Sequence, residues 1–294
     1  MQVSRETRAF LLLTLVTMVW AGLMPTGKIA LRGVPPMTIA AIRMVIGSSL
    51  LSLYLRRDSR PIPWSPRLVA GILALGFCGY LVSTGGSYYG LRLTTVTNAA
   101  LLNAASPVSL ALLSVVILKE RLPSRSVVGI LLSVIGVAVI ITRGSWEVVS
   151  HSQYNRGDII LLSTQLSWSL YSIYGRRLME YVSPLAATTF TYMAGGFWLI
   201  LGSCFFERGQ WHFADVSWAS WAAIAYQSTL GSFAHFWFYD AIAVVGPSRA
   251  GIFLNLVPVM AIGIAYFILG EPVTSSHLIG GAIVISGILV ATRR

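Results

Sequence analysis

The chain has 294 residues, 55% hydrophobic and only 11% charged, with 21 Lys and Arg against 10 Asp and Glu for a net charge of +11. A soluble domain carries about 25% charged residues, and with a mean hydropathy of +0.74 this composition excludes an ordinary soluble enzyme and points to lipid. The two cysteines, Cys78 and Cys204, fall in apolar stretches without Cys-x-x-Cys spacing, and read as buried small apolar filler.

Ten apolar segments run along the chain, at 8–29, 37–55, 67–88, 95–118, 124–142, 157–176, 184–205, 217–239, 247–269 and 274–292. One crossing needs about 20 residues, so ten leave short loops and no room for a soluble catalytic domain. Segments one to five reappear in diverged form as six to ten. Trp20 and Pro36 stand 16 apart, as do Trp168 and Pro184; Pro107, Glu120, Gly129 and Gly136 recur 151 residues on as Pro258, Glu271, Gly280 and Gly287. An odd number of crossings per copy forces the second copy to enter the membrane from the opposite side, which is how many secondary transporters build two gates around one site. The expected fold is therefore an all-α membrane protein of ten helices in two inverted five-helix repeats, 1–148 and 149–294. With the N-terminus inside, 14 of the Lys and Arg fall on the inner side and 6 on the outer, which predicts cytoplasmic termini. The first segment lacks a small-residue cleavage site and does not read as a signal peptide.

In the first span, Thr17, Trp20, Met24 and Lys28 share one face at spacings of three and four. In the second, Arg43 lies six residues inside; an unpaired Arg in lipid is costly, so it must reach outer headgroups, a carbonyl cluster or an anionic substrate, with a structural anchor the favoured reading. Prolines 61, 63 and 66 stiffen the next loop. In the third span Gly85-Gly86, between Thr84 and Ser87, marks a place where the helix could open. The fourth carries Asn98 and Asn103, whose amides could bridge helices or hydrogen-bond a solute, and Pro107 near its middle, a candidate hinge because it removes a backbone hydrogen bond. Glu120 follows it. Just before the fifth span, this carboxylate reads as a cap on a helix N-terminus. Gly129 and Gly136 put small residues on one face of the fifth span, for an interface between the halves or between two copies as a homodimer.

A polar linker, 144–157, leads to the second copy. Its first span repeats the earlier face as Gln165, Trp168, Ser172 and Arg176. Trp168 would lie about 12 residues in, roughly 18 Å deep, too deep for an interface anchor. Thr191 takes the place of Arg43 in the seventh span. The eighth is rich in polar and aromatic residues, with Gln227, Gly231 and His235 recurring every four; His235, which titrates nearest physiological pH, is the candidate for a proton-coupled step. Asp240 is expected to pair with Arg249. The ninth span holds Asn255 and the second candidate hinge, Pro258, and ends at Glu271, also read as a cap. Gly280 and Gly287 complete the tenth. The candidate substrate cavity is thus lined by Thr17, Trp20, Met24, Asn103, Gln165, Trp168, Ser172, Gln227, His235 and Asn255, where indoles offer an apolar wall, a cation-binding face and one donor.

No phosphate-binding loop, His-Glu-x-x-His or dinucleotide fingerprint is present, so no catalytic residue, cofactor or metal is implied. The partners expected are the bilayer, a small-molecule substrate and protons as coupling ion; the basic charge is a topology signal, with no nucleic acid implied.

With Ser106-Pro107-Val108 leading to Leu118-Lys119-Glu120-Arg121-Leu122, and Val257-Pro258-Val259 leading to Leu269-Gly270-Glu271-Pro272-Val273, the chain resembles the EamA-type transporters of the drug/metabolite transporter superfamily. Trp20 and Ala41-Ile42-Arg43 are also similar to the pattern. The resemblance implies a bacterial inner-membrane exporter of amino acids or related amphipathic metabolites. Its central cavity, between spans one, three, four, six, eight and nine, would open alternately to each side. A multidrug exporter or facilitator of the same fold is the alternative, and a non-transporting sensor or scaffold a remote one.

Overall fold

The computed structural model of the chain describes residues 5–56, 60–104, 106, 109, 113, 116–117, 124–145, 155–245 and 256–292. Regular structure among the described residues is helical: α1 (Arg5–Ala30), α2 (Pro36–Leu55), α3 (Pro66–Leu93), α4 (Val96–Ala104), α5 (Ser124–Thr142), α6 (Arg156–Leu178), α7 (Pro184–Phe206), α8 (Trp218–Val245), α9 (Leu256–Ile264) and α10 (Ser275–Thr292). Of these, α1, α2, α3 and α7 are long and apolar enough to cross a membrane. Local chemistry sets several starts. Pro36, Pro66 and Pro184 open their helices where a missing N–H costs nothing. Ser65 and Ser183 accept the N–H of Leu68 and Ala186, and Asn155 accepts that of Gly157. Gly270, at φ 67°, turns the chain after α9 in the left-handed region that a Cβ disfavours.

α3 continues through Gly85-Gly86 instead of opening there. Its middle, Phe77–Gly85, is π-helical, and the Thr84 hydroxyl bonds the carbonyl five residues back, on Gly79 (3.0 Å). A second π-helical stretch, Ala265–Leu269, follows α9.

The helices pair in a regular way. α1 packs on α8 and α3 on α6; α2 packs on α7, α4 on α9 and α5 on α10. At the last contact a Cβ on Gly136 would stand 2.7 Å from the Gly280 carbonyl oxygen, and one on Gly280 would stand 2.8 Å from that of Gly136. These small residues are used within the chain, between its two halves. Pro258 lies in α9; Pro107, Glu120, Arg249 and Asn255 lie outside the described residues. Cys204 is exposed and Cys78 half-buried, so Cys204 is not the buried filler the sequence led us to expect.

The core is built from Leu, Ile, Ala, Tyr and Met between the helices, while large apolar side chains also cover the outside: Phe267 is 84% exposed and Trp218 82%. In water so much exposed apolar surface would drive association; against acyl chains it is the expected exterior. The chain is a multi-pass membrane protein.

Candidate functional site

Three polar or aromatic clusters occupy the space between the helices. The first is aromatic. Trp20 of α1 packs on His235 of α8 with ring centroids 4.9 Å apart, and on Phe238 at 4.9 Å. Trp168 of α6 meets the same imidazole edge-on at 5.9 Å and stacks on Tyr171 at 5.2 Å. Tyr192 of α7 closes the third side of His235 at 5.8 Å, and its ring meets Tyr80 of α3 at 4.9 Å. Tyr80 and Tyr171 share a hydrogen bond of 2.9 Å. The matched indoles thus come from helices in the two halves and face one imidazole. The His235 Nδ1 lies 3.2 Å from the Gly231 carbonyl, one turn back. The Trp20 indole N–H is buried without an acceptor among the described residues.

The second cluster is made of amides. The Gln165 side-chain amide donates to the Asn103 carboxamide oxygen, and Gln165 accepts from the Ser106 hydroxyl at 2.6 Å. The Asn103 amide reaches the Met24 sulfur at 3.8 Å. Met24, Asn103 and Gln165, from α1, α4 and α6, therefore meet. Thr17 and Ser172 turn their hydroxyls back onto their own helices, to the carbonyls of Leu13 (2.8 Å) and Trp168 (2.9 Å). Their alignment with the tryptophans does not make them free hydrogen-bonding groups for a solute.

The third cluster surrounds Arg43. This residue is 7% exposed. A Cβ on Gly231 of α8 would lie 3.6 Å from its Nη2, so the side chain points into the bundle, away from the headgroups at which an anchor would be satisfied. The phenols of Tyr88 and Tyr192 lie against its guanidinium. Tyr88 in turn donates to the Gln227 carboxamide oxygen, while the Gln227 amide nitrogen is buried without a partner among the described residues. Sequence reasoning missed Tyr80, Tyr88, Tyr171 and Tyr192. An aromatic residue in an apolar span is commonplace, and nothing in local spacing separates these four from lipid-facing ones such as Tyr266, which is 53% exposed.

At one end of the bundle a polar network joins the halves. Lys28 donates to the carbonyls of Leu91 (2.7 Å) and Thr94. Asp158 of α6 accepts from Thr94 (2.5 Å) and Asn98 (3.1 Å), and Asn98 pairs with His277 of α10 at 3.0 Å. Glu271 accepts the backbone N–H of Val96 (2.9 Å) and Thr97 (3.0 Å). Its carboxylate serves the start of α4, in the other half, and not that of α10, which follows it in sequence.

The pattern of the EamA-like transporter family matches the chain twice, over residues 7–142 and 155–293. An uncharacterized transporter of Bacillus subtilis, YyaM, is 32% identical over 75% of this chain and 72% of its own. A probable terminal-alkyne amino-acid exporter of Streptantibioticus cattleyicolor is 27% identical over 97% of this chain and 92% of its own. A solved protein crystal structure shares the fold with a TM-score of 0.66 at 21% identity, covering 96% of each chain. This chain therefore belongs to the EamA-like transporter family, whose members are membrane transporters and not enzymes.

Proposed function

We propose that the chain is a secondary active transporter of the cytoplasmic membrane, with both termini inside, that exports amino acids or related amphipathic metabolites by alternating access. Ten crossings would form two inverted repeats, 1–148 and 149–294. The double family match supports this, as does the helix pairing: exchanging each helix of α1–α5 for its counterpart in α6–α10 turns the α1–α8 contact into α6–α3 and leaves the α2–α7, α4–α9 and α5–α10 contacts in place. The observation that carries the functional reading is the enclosure of His235 by Trp20 and Trp168, one from each half. Movement of the halves would open and close such a site, with Pro107 and Pro258 as hinges. Amino-acid export is supported by the relative described as an amino-acid exporter.

The experiment is counterflow of radiolabelled amino acids into proteoliposomes. We expect flux above that of empty liposomes, and a several-fold rise in KM in Trp20→Ala and Trp168→Ala. Unchanged kinetics in both variants, well folded, would remove the aromatic site, and transport of many unrelated cationic dyes would favour a multidrug exporter. We assign proton coupling to His235; a His235→Gln variant that keeps full pH-gradient-driven transport places the coupling elsewhere.

A further inference from the structure

We propose that Arg43 is an anion subsite, which takes the carboxylate of an amphipathic solute whose apolar part lies against Trp20, Trp168 and His235; the inference rests on the transport reading above. Arg43 lies seven residues beyond the start of α2, about 10 Å along the helix axis. Among the described residues, the groups that face its charge are Tyr88, Tyr192, Tyr80 and His235. None of them is a carboxylate, and a phenol oxygen can accept a hydrogen bond without neutralising a full charge.

Hydrogen bonding around it is equally one-sided. Arg43 Nε and Gln227 Nε2 are buried with no acceptor among the described residues, and Tyr88 has already given its proton to Gln227. A positive charge and surplus N–H donors, deep in the bundle, require an acceptor with negative charge. Scaffolding does not account for the residue. Its counterpart in the second half, Thr191, bonds the carbonyl of Ala187 on its own helix (2.8 Å), so the same position in the other half needs no cation. The position of the aromatic cluster then limits the ligand: Tyr192 touches both Arg43 and His235, so the cationic and aromatic surfaces adjoin. A small molecule spanning both has an anionic head beside an apolar body.

The test uses purified full-length protein and three matched pairs: L-leucine and L-leucinamide, L-phenylalanine and L-phenylalaninamide, 3-phenylpropionate and 3-phenylpropanamide. A ligand of the folded state raises the melting temperature. At least one carboxylate should stabilise the wild type while its amide does not. In Arg43→Gln its apparent affinity should fall roughly tenfold or more, with the unliganded variant melting no lower than wild type. Arg43→Lys should retain part of the binding. Equal stabilisation by acids and amides, or by no acid at all, overturns the inference. So does an Arg43→Gln protein that melts several degrees lower yet keeps its affinity, the signature of an anchor. Because the acid–amide comparison is made in wild type, a variant that fails to fold leaves the test intact. Flux of the same solutes decides the transport reading separately: acid-selective binding without flux keeps the anion site and removes transport, and equal flux of acids and amides does the reverse.

Discussion

Two carboxylates, Glu207 and Glu271, make the same set of bonds at two helix starts. Glu207 is fully buried. It accepts the N–H of Met37 (2.7 Å) and Thr38 (2.8 Å) and the Thr38 hydroxyl (2.7 Å). Glu271 accepts the N–H of Val96 and Thr97 and the Thr97 hydroxyl (3.0 Å). The first N–H groups of a helix have no intrahelical partner, and the dipole there favours a negative charge. In a low-dielectric setting both effects gain strength. Glu207→Ala should therefore cost about 1–3 kcal/mol, because it leaves two buried N–H groups without an acceptor. The expected reading is a melting temperature lower by several degrees, with Glu207→Gln in between because the amide keeps one acceptor oxygen. A melting curve unchanged in Glu207→Ala would show that water or lipid replaces the cap. Sequence reading reached only half of this: Glu271 was recognisable as a cap from its place before a helix, but the helix it serves begins 175 residues away. Glu207, in a loop beside Arg208, gave no local sign, since its partners Met37 and Thr38 are brought to it by tertiary packing alone.

Among the elements, apolar runs and prolines located the second and seventh helices well, because in lipid the backbone must satisfy itself and a long apolar stretch has one solution. The second and seventh spans were expected at 37–55 and 184–205, and the helices run Pro36–Leu55 and Pro184–Phe206. Gly85-Gly86 misled. Glycine weakens a helix in water, but here its bareness admits Thr164, whose methyl would lie 2.8 Å from a Cβ on Gly86, and the helix continues. The same distinction yields a prediction. A Cβ on Gly136 would meet backbone atoms of α10 at 2.7 and 2.8 Å, whereas one on Gly71 meets nothing within 4 Å. Gly136→Leu should force α5 and α10 apart and destabilise by about 1–3 kcal/mol. Gly71→Ala should be stabilising by about 0.5–1 kcal/mol through helix propensity alone. Thermal melts of the two proteins side by side separate packing from propensity; a similar gain in both would mean that Gly136 acts only through backbone freedom and not through packing. Of the cluster, the two tryptophans were legible because the repeat singled them out, and His235 because an ionisable side chain inside an apolar span stands out. Tyr88 and Tyr192 were not, since what distinguishes them is contact with Arg43 across three helices.

For the whole molecule, the polar network at the Lys28 end has a mechanical consequence. Asp158 is 1% exposed and ties α6, in the second half, to Thr94 and Asn98 in the first; Asn98 extends the tie to His277. Under the proposed topology this is the outer end, and we read the network as what holds that end closed. Alternating access requires these bonds to break when the opposite face closes, and their strength then sets the balance of states. Removing the Asp158 acceptor leaves the hydroxyl and the amide without it. A loss of about 2 kcal/mol would shift the closed-to-open ratio roughly thirtyfold. We expect Asp158→Ala, with spin labels at positions 93 and 278 and both native cysteines replaced, to gain a longer component in the label–label distance distribution. Leu93 and Leu278 are 51% and 65% exposed, so labels there leave the network itself untouched. An unchanged distribution in a folded variant would assign the network to the scaffold and not to the gate. A longer component accompanied by faster counterflow would make opening at this end the slow step of the cycle, because destabilising a closed state speeds turnover only where leaving that state limits the rate.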